Sequence, residues 1–262
     1  MHQYLFQFQL PFGDRVFSIP GYGAVLFLVY LISIFYLIRV GRKVGINSFT
    51  AVLIITELVA VGILGSMVWD YIWTFALNTL GVGLGPLGGQ PGLAWMGAVL
   101  GATLFGIWYI RFLKLDLLAV IDLLAPLFLF TYALGRMACL LGGCCYGAPT
   151  DLPWGITYPV GLPDYCAPGG VPLHPTPIYA ALGGLLALAI LLSVRRWLRK
   201  PGQMFLVALG LHSLFRSAEE AFRADHSALW LGLSVTQWFS LATALVVAYL
   251  LAKSQRFSLR QD

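Results

Sequence analysis

Seven apolar segments of roughly 20 residues constrain what this chain can fold into more than any other feature. They lie at about 21–39, 51–74, 92–111, 117–137, 177–194, 203–222 and 233–252. A helix of that length crosses a hydrocarbon layer of ~30 Å and satisfies its own backbone hydrogen bonds in lipid. Only 10% of the residues are charged, against roughly 25% in soluble domains. The sequence therefore predicts an all-α integral membrane protein, with seven transmembrane helices in a single membrane domain over residues 1–262.

The basic residues predict how these helices are oriented. All but four of the 16 Lys and Arg residues fall on one side of the topology, and the exceptions are Arg15, Arg136, Arg216 and Arg223. Basic loop residues mark the cytoplasmic side, so we expect the N-terminus outside and the C-terminus in the cytoplasm. The net charge of +5 then reflects attraction to anionic lipid head groups and does not indicate nucleic-acid binding.

Two segments are expected to lie outside the membrane. The external arm, residues 1–20, alternates Phe6, Phe8, Leu10 and Phe12 with polar residues or proline, which fits a short strand, a lipid-surface arm or an ordered tail. The cap loop, about residues 142–177, is far longer than the median connection of ~4–6 residues. We interpret it as an ordered external cap.

The stretch G-R-M-A-C-L-L-G-G-C-C-Y-G begins inside the fourth apolar segment. Arg136 is placed where that helix approaches the outer surface, and a guanidinium binds phosphate through two parallel hydrogen bonds. Glycines near a helix end present backbone N–H groups to the same kind of anion. Gly135, Gly143 and Gly147 are therefore candidate phosphate contacts.

A second group of polar residues lies in the sixth apolar segment. His212, Arg216, Glu220 and Arg223 follow one another at steps of four, four and three, which places them on one helical face. Such charges could simply tie helices together, but they are costly in a membrane unless they line a polar cavity. We predict that Arg136 and Arg216 converge on the phosphate of a phospholipid at the outer leaflet.

The cysteines allow two interpretations. Cys144 and Cys145 with Cys166 and His174 could hold zinc, but adjacent cysteines lack the usual spacing of metal ligands, so we predict no metal and no cofactor. In an oxidising compartment we expect instead a disulfide from Cys145, or Cys144, to Cys166, which closes a loop of about 20 residues and contributes ~3 kcal/mol. The alternative is free buried thiols.

These motifs resemble the bacterial prolipoprotein diacylglyceryl transferases. The signature of that family, G-R-x-G-N-F-x-N-G-E-x-x-G, is matched by Gly135, Arg136, Gly143 and Gly147. Further matches extend over most of the chain: Tyr22-Gly23, D-L-L-A-P from Asp122, P-W-G-I-T-Y-P from Pro153, H-P-T-P-I-Y from His174, R-x-x-x-E-x-x-R from Arg216 and S-V-T-Q-W-F-S-L from Ser234. Met96 stands where the family has a histidine, and Cys139 replaces the signature asparagine.

The resemblance implies an enzyme of the bacterial plasma membrane that moves the diacylglyceryl group of phosphatidylglycerol onto the lipobox cysteine thiol of a prolipoprotein, with release of glycerol phosphate. The expected partners are phosphatidylglycerol, the prolipoprotein signal peptide and membrane lipid. The expected catalytic residues are Arg136, Arg216, His174 and Tyr22, and the expected substrate contacts also include Tyr179, His212, Glu220 and Arg223. We choose His174 as the base because methionine cannot accept a proton and histidine titrates near neutral pH.

Two other functions fit the same residues. A thiol-dependent lipid acyltransferase would use Cys139, Cys144 or Cys145 as its nucleophile, activated by a nearby arginine or by His174. A non-catalytic paralogue would bind or translocate phospholipid through the same head-group site. A labelled cysteine in the first case, and binding without turnover in the second, separate these functions from the transferase.

Overall fold

Seven α-helices make up most of the structure, a computed structural model that describes residues 4–9, 16–79, 95–162, 166–224 and 230–258. The helices are α1 (Gly21–Val40), α2 (Ser48–Thr79), α3 (Trp95–Phe112), α4 (Leu117–Gly142), α5 (Thr176–Val194), α6 (Gln203–Glu220) and α7 (Val235–Ser258). Each predicted span is a helix. The connection between α2 and α3, residues 80–94, lies outside the described residues.

Five of the described helices are long and apolar enough to cross a membrane, namely α1, α2, α4, α5 and α7. The apolar part of α3, Gly97–Phe112, is shorter. Helix α6 carries Arg216, Glu219 and Glu220 within 18 residues, which lowers its hydropathy. The prediction of a mostly helical membrane protein is confirmed, whereas the seven-span topology, its orientation and the single domain stay predictions.

The N-terminal arm contains two strands, as one of the interpretations of its sequence predicts. Strand β1 (Tyr4–Gln9) pairs antiparallel with β2 (Val16–Pro20), and Phe6 lies opposite Ile19. Leu10, Phe12 and Arg15 lie outside the described residues.

The chain divides into two compact units, which we describe separately: Tyr30–Val120, and Met1–Val29 with Ile121–Asp262. In the unit Tyr30–Val120, α2 and α3 pack through glycines. A Cβ atom at Gly65 would lie 2.5 Å from the carbonyl oxygen of Gly97, and one at Gly101 would lie 3.2 Å from that of Val61. Small residues at this spacing let membrane helices approach closely, so packing explains these glycines.

In the other unit, α4, α5 and α6 share a core of Ala125, Leu129, Ala187, Leu191 and Ala208, all fully buried. The carboxylate of Asp122 on α4 accepts the backbone N–H groups of Gly202 at 2.7 Å and Phe205 at 2.8 Å. These donors have no partner within α6, because the first N–H groups of any helix lack intrahelical acceptors. Asp122 therefore fixes the start of α6 against α4, and α6 carries Arg216, Glu219 and Glu220 near its other end.

Helix α7 begins with a reciprocal capping box. The Ser234 hydroxyl accepts the Gln237 N–H at 3.2 Å, and the Gln237 amide oxygen accepts the Ser234 N–H at 2.9 Å. Ser234 also donates its hydroxyl to Glu220 at 3.1 Å. The start of α7 is thereby attached to the end of α6, beside the charged residues.

The described part of the cap loop is ordered by short strands and backbone hydrogen bonds. Strand β3 (Ile156–Thr157) pairs antiparallel with β4 (Pro172–Leu173). The Gly147 N–H donates to the His174 carbonyl at 3.1 Å, and the Ala148 N–H donates to the Phe222 carbonyl at 2.9 Å. These bonds hold the loop against the residues that follow α6.

Candidate active site

Two arginines from different helices share one carboxylate. Glu219 on α6 lies 3.7 Å from the Arg136 guanidinium of α4 and 3.8 Å from that of Arg216. The Tyr132 hydroxyl donates to the same carboxylate at 3.0 Å, and the Tyr132 ring lies 4.9 Å beneath the Arg136 guanidinium. The structure therefore brings Arg136 and Arg216 together, as the sequence predicts, and places Glu219 between them.

The second carboxylate continues this cluster. Glu220 lies 2.6 Å from Arg216 and 3.8 Å from Arg223. Its other oxygen accepts the Ser234 hydroxyl. Arg216 Nη1, Glu219 Oε1 and Glu220 Oε2 are buried without a well-directed hydrogen bond among the described residues, although each is within ion-pair distance of an opposite charge. Each of these atoms can interact with a further polar group without first breaking a well-directed hydrogen bond.

The charged cluster is buried. The side chains of Glu219 and Glu220 are 4% and 7% exposed, and those of the arginines are 12% to 18% exposed. Guanidinium groups held in one buried place can bind an oxyanion through parallel hydrogen bonds.

The helix boundaries correct two expectations about these arginines. Helix α6 ends at Glu220, so Arg223 lies in the following turn and does not share a helical face with His212 and Arg216. Its backbone forms an isolated antiparallel bridge with Gly147. Helix α4 continues to Gly142, so Arg136 lies inside the helix and not at its end.

The predicted phosphate-binding glycines occupy three different settings. Gly135 lies inside α4, where its N–H belongs to the helix, and a Cβ there would meet nothing within 4 Å. Gly143 has φ +69° and ends α4 in a left-handed turn. Gly147 donates its N–H to His174 and has no room for a Cβ, which would lie 2.5 Å from that of His174. Close packing therefore explains why position 147 is a glycine, whereas the space beside Gly135 is open.

An apolar cavity of about 440 Å³ adjoins the charged cluster. Its wall consists mainly of aromatic and small residues, with Glu219 as its charged member: Tyr132, Leu152, Trp154, His174, Tyr179, Ala180, Gly183, Phe215, Ala218, Glu219 and Phe222. The Tyr179 hydroxyl accepts the Trp154 indole N–H at 2.8 Å and lies 3.3 Å from His174 Nδ1. The predicted base, His174, is therefore positioned in this wall.

The remaining predicted site residues lie nearby in the same unit. His212 sits edge-on against the rings of Phe128 and Tyr132, with centroids 5.1 Å and 4.4 Å away. Tyr22, at the start of α1, packs on the end of α4, where a Cβ at Gly142 would lie 3.2 Å from its ring. Met96, in the first turn of α3, belongs instead to the unit Tyr30–Val120, and its side chain lies outside the described residues.

Three cysteines gather at the end of α4. The Sγ atoms of Cys139, Cys144 and Cys145 lie within 4.8 Å of one another. Thiol hydrogen bonds from Cys139 and Cys144, followed by the charges of Arg136 and Arg223, lower the pKa of Cys145. All four cysteines are free thiols in the structure, and Cys166 donates to the Gly142 carbonyl at 3.5 Å. The disulfide from Cys145 to Cys166 is thus not formed here and stays a prediction.

Sequence reasoning missed Glu219 and Tyr132. Glu219 lies one turn after Arg216, and Tyr132 lies one turn before Arg136, so both spacings were visible as possible helix-face pairs. The contact of Glu219 with Arg136 was not visible, because it depends on how α4 and α6 pack.

The fold and this cluster define a helical membrane protein with a buried group of arginines and carboxylates beside an apolar cavity. Comparison with known proteins gives the family. The model of the prolipoprotein diacylglyceryl transferase family matches residues 11–253, and this chain belongs to that family.

Curated relatives named phosphatidylglycerol-prolipoprotein diacylglyceryl transferase align over nearly the whole chain. The relative from Dehalococcoides mccartyi (strain ATCC BAA-2266) is 31% identical over 253 residues, which cover 93% of this chain and 92% of the relative. The Clostridium tetani relative is 29% identical over 90% of this chain and 92% of its own length. The Finegoldia magna relative is 27% identical over 95% and 99%.

Proposed function

We propose that this protein transfers the diacylglyceryl group of phosphatidylglycerol to the lipobox cysteine thiol of a prolipoprotein. In this reaction a C–S bond forms, the C–O bond to phosphate breaks, and glycerol phosphate leaves. Membership of the family supports the reaction, and the names of the aligned relatives support both substrates. The observation that carries the proposal is the pairing of Arg136 and Arg216 around Glu219 beside an apolar cavity.

Arg136 and Arg216 are proposed to bind the lipid phosphate. The planar donors of a guanidinium match the unesterified oxygens of a phosphodiester. As the C–O bond breaks, the leaving phosphate gains charge, and fixed guanidinium groups stabilise that charge more strongly in a buried site than in water. Glu219 and Glu220 hold the arginines in place, and Arg223 contributes through Glu220.

The apolar cavity is proposed to take an apolar portion of a substrate. Its aromatic wall runs from Trp154 and Tyr179 to Phe215, and Glu219 joins it to the arginine cluster. An acyl chain or the apolar side chains around a lipobox cysteine would be removed from water there. His174 lies in that wall, where it can accept the proton of the acceptor thiol, and Tyr22 is proposed to act near the end of α4.

The charged cluster also supports a proposal about how many helices cross the membrane. We propose that α3 and α6 cross the membrane together with the five more apolar helices, because the charges that make α6 polar are paired inside the site. The excess of basic residues elsewhere supports an N-terminus outside and a C-terminus in the cytoplasm. The site then lies near the outer face of the plasma membrane, where a prolipoprotein signal peptide can reach it.

The direct test uses the purified full-length protein in vesicles that contain radiolabelled phosphatidylglycerol. A lipobox peptide is the acceptor, and the same peptide with serine in place of its cysteine is the control. We expect a thioether-linked peptide and free glycerol phosphate from the cysteine peptide only. Label on an enzyme cysteine would instead identify an acyltransferase, and lipid binding without product would identify a binding protein. Complementation of a strain depleted of its own transferase tests the activity in cells.

A further inference from the structure

The end of α4 brings two cysteines together by the way the helix stops. The Gly143 N–H donates to the Leu140 carbonyl at 3.4 Å, and the Cys144 N–H donates to the Cys139 carbonyl at 3.1 Å. Together with the left-handed conformation of Gly143, these two bonds form a Schellman motif. In that motif the residue three positions before the helix cap contacts the residue two positions after the cap, and the contact is usually apolar. Here the two positions hold Cys139 and Cys144.

The third cysteine joins them through an uncommon backbone conformation. Cys145 has φ +57°, a left-handed conformation that costs free energy for a residue with a Cβ atom. Its carbonyl is held by the Thr176 hydroxyl at 2.6 Å. The three Sγ atoms consequently lie within 4.8 Å of one another, and all three residues are partly accessible.

A buried tyrosine hydroxyl lies beside the same end of α4. Tyr158 packs on the same helix end, with its ring 3.7 Å from the position of a Cβ at Gly143. Its hydroxyl is buried and has no hydrogen-bond partner among the described residues, although the residue is only 4% exposed. A buried donor without a partner points to a group that this part of the structure does not contain.

We propose that Cys139, Cys144 and Cys145 bind one thiophilic metal ion, Zn²⁺ or Cu⁺, through three thiolates. Thiolates select these ions over Mg²⁺ or Ca²⁺. Zn–S bonds of ~2.3 Å place tetrahedral sulfurs ~3.8 Å apart, so the thiols need to approach by at most about 1 Å. Each thiol releases its proton to water on binding, and no oxidant or reductant is required. This site differs from the one weighed from sequence, because neither Cys166 nor His174 belongs to the group of three thiols.

The fourth ligand position gives the ion a role in the proposed transfer, and this part rests on the proposed function. Catalytic zinc sites commonly have three protein ligands and one open position. We assign that position to the acceptor cysteine, because a metal-bound thiol is deprotonated at neutral pH. Its proton passes to His174, its sulfur forms the C–S bond, and the C–O bond to phosphate breaks. Such activation compensates for Met96, which cannot act as a base.

Metal binding is measured on the full-length protein, purified without oxygen and loaded with Zn²⁺ or with Cu⁺ alone. We expect about one ion per chain in the wild type and in Cys166→Ser, and less than about a tenth in Cys139→Ser, Cys144→Ser or Cys145→Ser. Cys166→Ser is the matched control because Cys166 is a free cysteine outside the three-thiol group. Metal analysis of protein isolated without added metal shows which ion is retained. Failure of the wild type to bind either ion, equal loss in Cys166→Ser, or a native Cys145–Cys166 disulfide in peptide mapping would overturn the site.

The acceptor role has its own readout. Co²⁺ in place of Zn²⁺ gives thiolate charge-transfer absorption, and we expect the cysteine lipobox peptide, but not its serine analogue, to change that spectrum. Identical spectra with both peptides would overturn the acceptor role and leave the metal site standing. A spectral change without any thioether product would refute the proposed transfer while supporting the metal site, so the two failures are distinguishable.

Discussion

Arg136 on α4 and Arg216 on α6 meet at one carboxylate, with guanidinium nitrogens 3.7 Å and 3.8 Å from Glu219. This charged contact joins the two helices beside the cavity, in addition to their shared apolar core and the Asp122 hydrogen bonds. The contact is a structural link between the helices, and its two arginines are also the proposed ligands of the lipid phosphate. Each of these two roles predicts a different response to substitution.

Replacing Arg136 or Arg216 by lysine tests the anion site. Lysine keeps the charge and loses the planar pair of donors, so a phosphate held by both arginines loses one charge-assisted hydrogen bond. Such a bond contributes about 1.5–3 kcal/mol, which corresponds to a roughly 10- to 100-fold loss of turnover per folded molecule. The measurement is transfer to the lipobox peptide, normalised to folded protein from size-exclusion chromatography.

The control for this experiment is Arg199→Lys, because Arg199 is exposed. We expect its activity and thermal stability to match those of the wild type. If Arg136→Lys and Arg216→Lys instead lose stability while their folded molecules keep full activity, the arginines are structural and the shared phosphate site is wrong.

Glu219→Gln tests the structural role. The amide keeps an acceptor for Tyr132 but removes the negative charge between two guanidinium groups that are only 15% and 18% exposed. Breaking a buried ion pair typically costs about 3–5 kcal/mol, so we expect a clear fall in the unfolding temperature in detergent. Phosphatidylglycerol should raise that temperature more in the variant than in the wild type, because an anion replaces the lost charge. Asp151→Asn, at an exposed position, serves as the control, and an unchanged melting curve for Glu219→Gln would contradict this account.

The sequence predicted the helices better than it predicted the site. Apolar length located every helix, because lipid leaves few alternatives for a backbone. The end of α4 was placed too early, at the charged residue Arg136, whereas the helix continues through the apolar residues that follow and stops at the Schellman motif around Gly143. Arg223 was placed on α6 because its spacing fits a helix, whereas the chain turns after Glu220.

More of the arginine pair than of the thiol cluster could be predicted from the sequence. Convergence of Arg136 and Arg216 could be predicted because both oppose the charge bias of the rest of the chain. Glu219 could not be assigned to Arg136, since that contact joins two helices whose packing sequence does not specify. The cysteines looked unsuited to a metal because two of them are adjacent. Their approach depends on the Schellman motif at the end of α4 and on the left-handed backbone of Cys145, neither of which the sequence pattern specifies.

Asp122 gives a prediction about stability away from the charged cluster. Asp122→Ala removes the acceptor of the Gly202 and Phe205 N–H groups at the start of α6, and loss of a helix cap costs about 0.5–2 kcal/mol. Asp122→Asn retains one acceptor oxygen and should lose less. We expect unfolding temperatures in the order wild type, Asp122→Asn, Asp122→Ala, with Asp151→Ala equal to the wild type. Equal temperatures for Asp122→Ala and the wild type would show that α6 is held at its start by other contacts.

The last prediction concerns the proton of the acceptor thiol. If His174 accepts that proton, His174→Ala should lower turnover by roughly 100-fold near pH 7, which is typical of a lost general base. The deficit should shrink toward pH 9, because a free thiol with a pKa of ~8.5 ionises there without help. His212→Gln is the comparison, since His212 packs against Phe128 and Tyr132 and not beside Tyr179. A deficit of the same size at both pH values would mean that His174 positions Tyr179 and Trp154 in the cavity wall and takes no proton. Full activity of both histidine variants would exclude histidine catalysis.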